Sequence, residues 1–443
     1  MSDLESMIKA FREGCEEYER RKKASHTDSF EVHEIYGSAD VNTKEIGRIA
    51  LGNNLDYMDD MYRNRKPEGG LQLIYVDPPF FSKSKYQASI SLKSPILGKS
   101  SVIKIDAYDD FRASELTHYL QMLTVRFLQM RDLLSDTGCI AVHLDWHVNH
   151  YVKIILDEIF GRENFINEII WNYKSGGSGK RSFARKHDTV LLYGKTGHYK
   201  FNVLREKSYN RGLKPYHFSG VEEFKDEKGW YTLVNMKDVW SIDMVGRTSV
   251  ERTGYATQKP EKLLERIVEA CSDEGDLCAD FFAGSGSFGA VCERMGRRWI
   301  LCDESPLAIA TEIGRLAALQ ENPQRKNQLG FAVLSANEPQ AAKIEAKIMN
   351  GQLNLVRYEA PSNIFRCSER EEVKKFARED SLSLIGTWSA DFAWDGSVHR
   401  AEKIFCSGER CAEIPEGAKT VRIAGYDVFG NSFAAFLKNA KNS

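Results

Sequence analysis

The order of strand-like and helix-like runs constrains this sequence more than any other feature. Between residues 41 and 171, apolar runs such as QLIYVD and GCIAVHLD alternate with helix-like runs, and the alternation resumes over residues 257–322. Such an alternation is typical of βαβ units in a mostly parallel sheet with helices on both faces. We therefore predict one doubly wound α/β fold, whose two halves are separated by residues 172–256.

The segments that flank this fold follow other patterns. Residues 1–40 begin with a run of helical periodicity and continue into a polar connector, which predicts a helical N-terminal lead. Residues 323–443 pass through a charged stretch into short alternating runs such as TVRIAGYDVFG. Short runs of this kind predict a small β-rich C-terminal appendage.

Composition excludes several classes of protein. Sixty-one basic and 63 acidic residues give a formal charge of −2, so an attraction to nucleic acid must come from local patches. The nine cysteines include no C-x-x-C pair and no His/Cys cluster, which predicts reduced thiols and no structural metal. No apolar run approaches about 18 residues, so we expect a soluble, cytoplasmic protein without a membrane partner.

A glycine-rich turn follows one predicted strand of the second half. Gly284, Gly286 and Gly289 form G-x-G-x-x-G between a strand and a helix, and Asp303 follows at the end of the next strand. Glycines let a ligand approach the backbone closely, and an acid at this spacing can accept hydrogen bonds from ribose hydroxyls. The segment predicts a cofactor that contains a nucleoside; NAD, FAD and S-adenosylmethionine all satisfy this pattern.

The turn Asp77-Pro78-Pro79-Phe80 follows the strand-like run LQLIYV. The two prolines have fixed φ angles and no N–H, so the turn offers a carboxylate and backbone carbonyls as acceptors. A nucleobase amino group is a donor that suits these acceptors. If Asp77 and the Pro78 carbonyl each accept one N–H, the nitrogen lone pair can attack an electrophilic methyl group while Phe80 stacks on the base. A rigid turn with buried rings is the simpler alternative.

Three motifs together resemble one enzyme family. DPPF at 77–80, TQKPEKLLERIV at 257–268 and FAGSGSFG at 282–289 resemble, in this order, the β-class of S-adenosylmethionine-dependent DNA amino-methyltransferases. The resemblance implies a Rossmann-like methyltransferase fold and a target recognition segment at 172–256. It also implies S-adenosylmethionine as the cofactor and double-stranded DNA as the substrate.

The resemblance assigns site residues by position. The catalytic motif is Asp77, Pro78, Pro79 and Phe80. The cofactor residues, which include Asp77, are further Asn53, Asn54, Thr257, Gln258, Lys259, Phe282, Ala283, Gly284, Ser285, Gly286 and Asp303. Lys259 is expected to pair with the carboxylate of the cofactor. Asn53 stands where the family usually has an acid that contacts adenine, and an amide still offers one acceptor and one donor.

Local charge predicts the DNA interface. Residues 172–256 hold 16 Lys and Arg against nine Asp and Glu, and residues 82–104 hold five Lys and no acid. We interpret 82–104 as a mobile loop that closes over DNA and an extruded base, because a base within a duplex cannot reach a buried cofactor. The expected phosphate contacts are Lys83, Lys85, Lys180, Arg181, Arg185 and Lys186.

The base is predicted from Asp77 alone. In the resembling family an acid before the prolines accompanies adenine N6 more often, and serine accompanies cytosine N4 more often. We therefore predict an adenine-N6 DNA methyltransferase; a cytosine-N4 enzyme and a non-catalytic DNA-binding homologue are the alternatives. The family also leads us to expect a homodimer, a restriction nuclease as partner, and a place in the prokaryotic cytoplasm at the nucleoid. Residues 425–437 (GYDVFGNSFAAFL) resemble a tail of type III modification subunits.

Overall fold

A computed structural model describes most of the 443-residue chain. The described residues are 2–24, 28–37, 46–82, 85–109, 115–174, 180–320, 330–337, 342–362, 364, 370–401 and 403–439. Within them the α-helices are α1 Asp3–Lys23, α2 Asn54–Asn64, α3 Leu116–Leu133, α4 Asn149–Phe160, α5 Glu261–Cys271, α6 Ser287–Arg294, α7 Pro306–Gln320 and α8 Arg370–Glu379. None of these helices is long and apolar enough to span a membrane.

The strands of the described residues fall into four sheets. In chain order they are β1 Glu31–Tyr36, β2 Gly47–Leu51, β3 Leu71–Val76, β4 Lys85–Ser94, β5 Lys99–Asp109, β6 Leu134–Leu144, β7 Phe165–Asn172, β8 His187–Gly194, β9 Arg205–Tyr209, β10 Phe224–Asp226, β11 Gly229–Asn235, β12 Val239–Ser241, β13 Leu277–Asp280, β14 Arg298–Asp303, β15 Phe331–Ser335, β16 Ala342–Met349, β17 Gln352–Glu359, β18 Ile385–Asp391, β19 His399–Ala401, β20 Ile404–Cys406, β21 Cys411–Glu413, β22 Thr420–Asp427 and β23 Ser432–Lys438.

The central sheet has eleven strands in the order β12-β7-β8-β6-β3-β13-β14-β2-β15-β1-β19. Seven of its ten strand pairs are parallel, and three are antiparallel. The prediction of a mostly parallel α/β sheet is therefore confirmed.

Helices cover both faces of this sheet. On β3 the side chains alternate, so that Ile74 and Val76 pack with α1 to α4 while Leu73 and Tyr75 pack with α5 to α7. All six residues of β3 are buried. A strand covered on both faces reads as an apolar run, which is why LQLIYV shows no polar alternation.

The strand order brings the two predicted halves together. β3 from the first half and β13 from the second are hydrogen-bonded neighbours, with Tyr75 opposite Asp280. Both strands are parallel, so their carboxyl ends lie at the same edge of the sheet, where open α/β sheets bind ligands.

The predicted insertion at 172–256 is divided between two sheets. β8 lies in the central sheet between β6 and β7, and β12 forms its edge. The part outside that sheet is the three-stranded sheet β10-β11-β9, which spans residues 205–235. The apolar run of β8 belongs to the α/β core although it follows the basic segment in sequence.

The prediction of a mobile loop at 82–104 was wrong for most of this segment. Residues 85–109 form the antiparallel hairpin β4-β5. Its apolar residues Ile90, Leu92, Ile103 and Ile105 lie in or against the hydrophobic core of the C-terminal sheet. The period-two alternation of these residues was present in the sequence, and the five lysines of residues 82–104 concealed it.

The C-terminal part is β-rich, as predicted. Its seven-stranded sheet has the order β20-β18-β22-β23-β16-β17-β21, and β22, β23 and the turn between them include the segment 425–437. Two strands of the predicted appendage, β15 and β19, instead extend the central sheet next to β1.

Candidate active site

A cleft of about 630 Å³ opens at the carboxyl edge of β3, β13 and β14. The predicted site residues that line it are Asn53, Asn54, Asp77, Pro78, Pro79, Phe80, Thr257, Gln258, Lys259, Phe282, Ala283, Gly284, Ser285 and Asp303. Gly286 lies outside the lining. The fold thus gathers positions that are as much as 250 residues apart in sequence into one cavity.

Asp77 is the charged end of the turn that follows β3. Its Oδ2 accepts a hydrogen bond from the Lys259 ammonium, while its Oδ1 is buried and has no hydrogen-bond partner among the described residues. The same ammonium lies 5.1 Å from the centroid of the Phe80 ring. A buried carboxylate oxygen without a donor is costly, so this oxygen favours a ligand that brings one.

The glycine turn after β13 has the conformation that its residues permit. Gly284 and Gly286 have φ values of 51° and 69°. A Cβ on Gly286 would lie 2.9 Å from the Cγ of Glu312, and a Cβ on Gly289 would lie 2.7 Å from a methyl carbon of Leu301. Gly286 and Gly289 therefore serve close packing of α6, whereas Gly284 faces the cleft.

Asp303 ends β14 beside this turn. Its Oδ2 accepts the backbone N–H of Gly284 at 2.9 Å, and its Oδ1 accepts the backbone N–H of Ser305 at 2.9 Å. Each carboxylate oxygen has a second lone pair. The two backbone donors hold the carboxylate at the cleft wall, where it can accept further hydrogen bonds from a diol.

Two further acids lie beneath the glycine turn. Asp280 lines the cleft, and its carboxylate accepts the backbone N–H of Phe282 at 2.9 Å. Glu312 in α7 is fully buried, and neither of its oxygens has a partner among the described residues. Burial raises the pKa of both carboxyls well above the ordinary value. Burial thus favours the neutral form of both groups over the ionised form.

The two asparagines after β2 have structural partners. The Asn53 side chain caps α2, where its Oδ1 accepts the N–H of Leu55 at 2.9 Å. The buried Asn54 amide donates to the Phe281 carbonyl and accepts from Nε of Arg126, each at 2.7 Å. Asn53 thus lines the cleft while its Oδ1 is engaged in the helix cap, and Asn54 ties α2 to the glycine turn.

Arg126 in α3 also lines the cleft and was missed in the sequence. Besides the Asn54 amide it donates to the Met122 carbonyl at 3.1 Å. Burial lowers its pKa to about 10. Its position within a helix-like run of mainly apolar residues gave no signal.

Gln258 stabilises its own loop. Its side chain accepts the backbone N–H of Thr253 at 2.9 Å and donates to the Glu251 carbonyl at 2.6 Å. Thr257 has a positive φ of 54°, so the backbone turns sharply before Lys259 enters the cleft.

A buried polar chain under Phe80 was also missed. The His143 ring is fully buried and stacks on Phe80 with centroids 5.8 Å apart. An ionised Asp188 can only accept, so Nε2 of His143 donates to it at 3.2 Å, and Nδ1 accepts from the Tyr75 hydroxyl at 2.8 Å. Tyr173 donates to the other Asp188 oxygen at 3.0 Å.

These hydrogen bonds favour the ionised form of the Asp188 carboxyl. Burial tends to raise the pKa of its carboxyl, but the hydrogen bonds donated by His143 and Tyr173, together with the charge of Lys259, outweigh burial and lower it. A histidine within the apolar run GCIAVHLD was the available sequence signal, since a buried imidazole needs a polar partner.

The residues predicted to contact phosphate differ in their exposure. Lys85, Lys180, Arg181 and Arg185 are exposed, Lys186 is half-buried, and Lys83 lies outside the described residues. The described residues contain no group of three or more His, Cys, Asp and Glu side chains placed to hold a metal ion.

The doubly wound sheet, glycine turn and acid at the end of β14 define an α/β protein of the nucleotide-binding class. Residues 71–312, more than half of the chain, match the family model described as DNA methylase (N6_N4_Mtase). The chain belongs to this DNA methylase family.

The chain is similar to several known methyltransferases. The chain is 31% identical over 306 residues to the type II methyltransferase M.EcaI of Enterobacter cloacae, a match that covers 56% of this chain and 64% of M.EcaI. It is 33% identical over 272 residues to the type II methyltransferase M1.MboII of Moraxella bovis, covering 58% and 92% of the two chains. The solved structure of the PvuII DNA methyltransferase, described as cytosine-N4-specific, covers 67% of this chain and 92% of its own at 15% identity and a TM-score of 0.43.

Proposed function

We propose that this protein transfers a methyl group from S-adenosylmethionine to the N6 amino group of adenine in double-stranded DNA. The observation that carries the proposal is the buried Oδ1 of Asp77 beside Phe80, which has no partner in the described part of the chain and lies in the same cleft as the glycine turn and Asp303. The cleft thus offers an acceptor for an amino group next to a wall suited to a nucleoside.

The residues of the cleft fit the cofactor. Gly284 offers backbone without a side chain, and the Asp303 carboxylate lines the cleft where it would accept hydrogen bonds from two ribose hydroxyls. When bound, S-adenosylmethionine supplies a methyl group on a sulfonium, and this carbon leaves sulfur as it bonds to the amino nitrogen. Asp303 and the glycine turn would hold the adenosyl part, and the carboxylate of Asp77 would face the reacting end.

Asp77 and the Pro78 carbonyl act on the amino group. Each accepts one N–H, which draws the nitrogen toward a tetrahedral arrangement and frees its lone pair. The same acceptors stabilise the positive charge that develops on nitrogen, and one of its protons then passes to water. Phe80, backed by His143, supports the base by stacking.

In this proposal two carboxylates, those of Asp77 and of the cofactor, compete for the Lys259 ammonium. Its ammonium contacts Asp77 in the structure, whereas the family resemblance assigns it to the carboxylate of the cofactor. A rotation of the lysine side chain would connect the two positions and would leave Asp77 to accept N–H groups from the base or the cofactor.

The choice of adenine rests on Asp77 in the DPPF motif. Purified protein should convert adenine to N6-methyladenine in duplex DNA, as measured by mass spectrometry of the digested nucleosides. Formation of N4-methylcytosine would instead identify cytosine as the methylated base. Absence of any methylated base, with DNA binding intact, would instead indicate a non-catalytic homologue.

Methylation-aware sequencing of DNA from cells that express the protein gives the recognition sequence in the same experiment. A homodimer and a cognate restriction nuclease are further parts of the proposal, which also places the protein at the nucleoid of a prokaryotic cytoplasm. Light scattering tests the dimer, and fluorescence imaging of a tagged chain tests its location. Co-purification and a DNA cleavage assay test the nuclease.

A further inference from the structure

Trp146 lies close to the catalytic turn at the carboxyl edge of the central sheet. The register of β3 and β6 places Val76 beside Val142, so positions 77 and 143 are level at the ends of the two strands. Trp146 follows three residues after His143 in the segment that leads from β6 to α4. The indole is therefore near the mouth of the proposed methylation site.

The indole is unusually open to water for this chain. Trp146 is 41% exposed, whereas Trp171, Trp299 and Trp388 are at most 2% exposed. An exposed ring forgoes the hydrophobic stabilisation that burial gives. Exposure alone assigns no role, because single exposed apolar residues are common.

Two neighbouring side chains hold the indole in place. The Arg185 guanidinium lies 3.7 Å from the ring centroid, and the His147 ring centroid lies 3.8 Å away. Nδ1 of His147 is 2.6 Å from Oδ2 of Asp145, which fixes the imidazole in turn. The ring is thus ordered before any partner binds, which lowers the entropy lost on binding.

The charge of this surface is positive. No carboxylate of the described residues pairs with Arg185, while Asp145 is engaged by His147. Arg185 belongs to the exposed basic segment that includes Arg181, and Phe183 in this segment is 98% exposed. Exposed rings interleaved with unpaired cations match nucleic acid, whose bases stack and whose phosphates carry the opposite charge.

We propose that the exposed Arg185 guanidinium, stacked on the Trp146 indole, offers its outer face to a second nucleobase of the DNA substrate, outside the cleft that receives the target base. This proposal rests on the proposed function. The base that stacks is either a neighbour of the target or the orphaned base opposite it, since both expose a π face once the target leaves the helix.

The test compares variants on a duplex that carries the recognition sequence. Trp146→Ala should weaken DNA binding about tenfold with an unchanged salt dependence, because it removes the ring that holds the stacking guanidinium in position and no charge. Arg185→Ala should reduce the slope of log Kd against log salt by about one. Tyr62→Ala is the matched control: Tyr62 is also an exposed ring, 36% exposed, with the Lys66 ammonium 5.0 Å from its centroid. It should bind DNA as the unchanged protein does.

Fluorescence separates the two sources of the base. 2-Aminopurine placed next to the target, or opposite it, should be quenched on binding, and Trp146→Ala should relieve the quenching at whichever position stacks. Binding by Trp146→Ala within twofold of the unchanged protein, with no change at either position, would overturn the proposal. Failure of the unchanged protein to bind DNA would overturn the proposed function as well. Equal affinity of all proteins for S-adenosylmethionine shows that the variants are folded.

Discussion

At the scale of single residues, Asp77 differs from an ordinary surface carboxylate. One oxygen contacts the Lys259 ammonium, and the other is buried with no donor from the residues that the structure describes. Replacement of Asp77 by Asn keeps the shape of the side chain but replaces one acceptor oxygen by an N–H₂ group. In one orientation of the amide this group takes the place of Oδ1, and in the other it faces the Lys259 ammonium. We expect kcat for methyl transfer to fall by about 10²–10³, the usual effect of removing one preorganised electrostatic contact.

Affinity for S-adenosylmethionine should stay within a few-fold in Asp77→Asn, as measured by calorimetry. Asp276→Asn is the control, because Asp276 also pairs with a lysine, Lys200, at 2.7 Å but lies outside the cleft lining. Its turnover should match that of the unchanged protein. Loss of cofactor affinity in Asp77→Asn with normal single-turnover chemistry would contradict the role assigned to the carboxylate.

His143 is a positioning residue in the proposed site. Its imidazole supports the Phe80 ring and joins Tyr75 to Asp188. In His143→Gln the amide can retain hydrogen bonds while the ring that supports Phe80 is lost. We expect kcat to fall roughly tenfold because the stacking face for the base becomes misplaced, with little change in the KM for S-adenosylmethionine.

His143→Phe provides the complementary variant. It keeps a ring against Phe80 but leaves the Asp188 carboxylate and the Tyr75 hydroxyl short of a buried partner. The free energy of unfolding should fall by about 1–3 kcal/mol, measured by urea denaturation, while kcat per folded molecule is preserved better than in His143→Gln. The reverse order of the two kcat values would argue against support by stacking.

The residues of the cleft divide according to how local their sequence signals are. The DPPF turn and the glycine turn were predictable because each places acceptors or bare backbone within a few positions. Arg126 and the hydrogen bond between His143 and Asp188 were not, because their partners come from separate elements of the sheet and helices. Gly286 was assigned to the ligand, and its packing against Glu312 is visible only in three dimensions.

At the scale of elements, the β4-β5 hairpin connects the C-terminal sheet to the cleft. Its inner residues Leu92 and Ile103 are fully buried in the C-terminal core. At its other side the Ser89 N–H donates to the Gly254 carbonyl at 2.9 Å, and Ala107 lines the cleft. A Cβ at Gly254 would lie 2.2 Å from the Ser89 carbonyl oxygen, so this close approach needs glycine.

Leu92→Ala should therefore affect both stability and the cleft. We expect a loss of about 2–5 kcal/mol in the free energy of unfolding, since a buried leucine is replaced by a cavity. The KM for S-adenosylmethionine should rise as the hairpin loosens beside Ala107. Val102→Ala in the same hairpin, where Val102 is 63% exposed, should change stability by no more than about 0.5 kcal/mol. Equal denaturation midpoints for the two variants would show that the hairpin is not anchored in the C-terminal core.

At the scale of the whole molecule, the ends of the chain complete the central sheet. β1 pairs with β15 on one side and with β19 on the other, so residues near 31, 335 and 399 meet at one edge. The alternation of strands and helices predicted the middle of this sheet, because consecutive βα units pair with near neighbours. It did not predict this edge, since pairing across more than 300 residues leaves no local pattern.

His399 at this edge makes the junction sensitive to pH. It is fully buried in β19, its Nε2 is 2.8 Å from Oγ of Ser389 in β18, and its Nδ1 has no described partner. Burial, with a smaller effect from the charge of Arg422, lowers its pKa from 6.5 to about 3. Between these two values the unfolded chain binds one more proton than the folded chain, so His399 makes stability fall as the pH falls below about 6.5.

Other groups face the same junction and act in the opposite direction. Burial raises the pKa of the Glu34 carboxyl in β1 above its ordinary value of 4.5. The folded chain therefore binds this proton at a higher pH than the unfolded chain does, so the contribution of Glu34 to stability rises as the pH falls toward 4.5. The contribution of His399 must therefore be measured as a difference. Relative to His399→Gln, the unchanged protein should lose about 2 kcal/mol of unfolding free energy between pH 7 and pH 5, at about 1.4 kcal/mol per pH unit below 6.5.

Urea denaturation at both pH values measures this difference, with His198→Gln as the control because His198 is exposed. The control should follow the unchanged protein at both pH values, whereas His399→Gln should be less sensitive to acid. Parallel pH profiles for all three proteins would show that the folded protein accepts a proton on His399 as readily as the unfolded chain does. The differential slope arises only if the edge that joins the two ends of the chain keeps the imidazole neutral, so it reports directly on this junction.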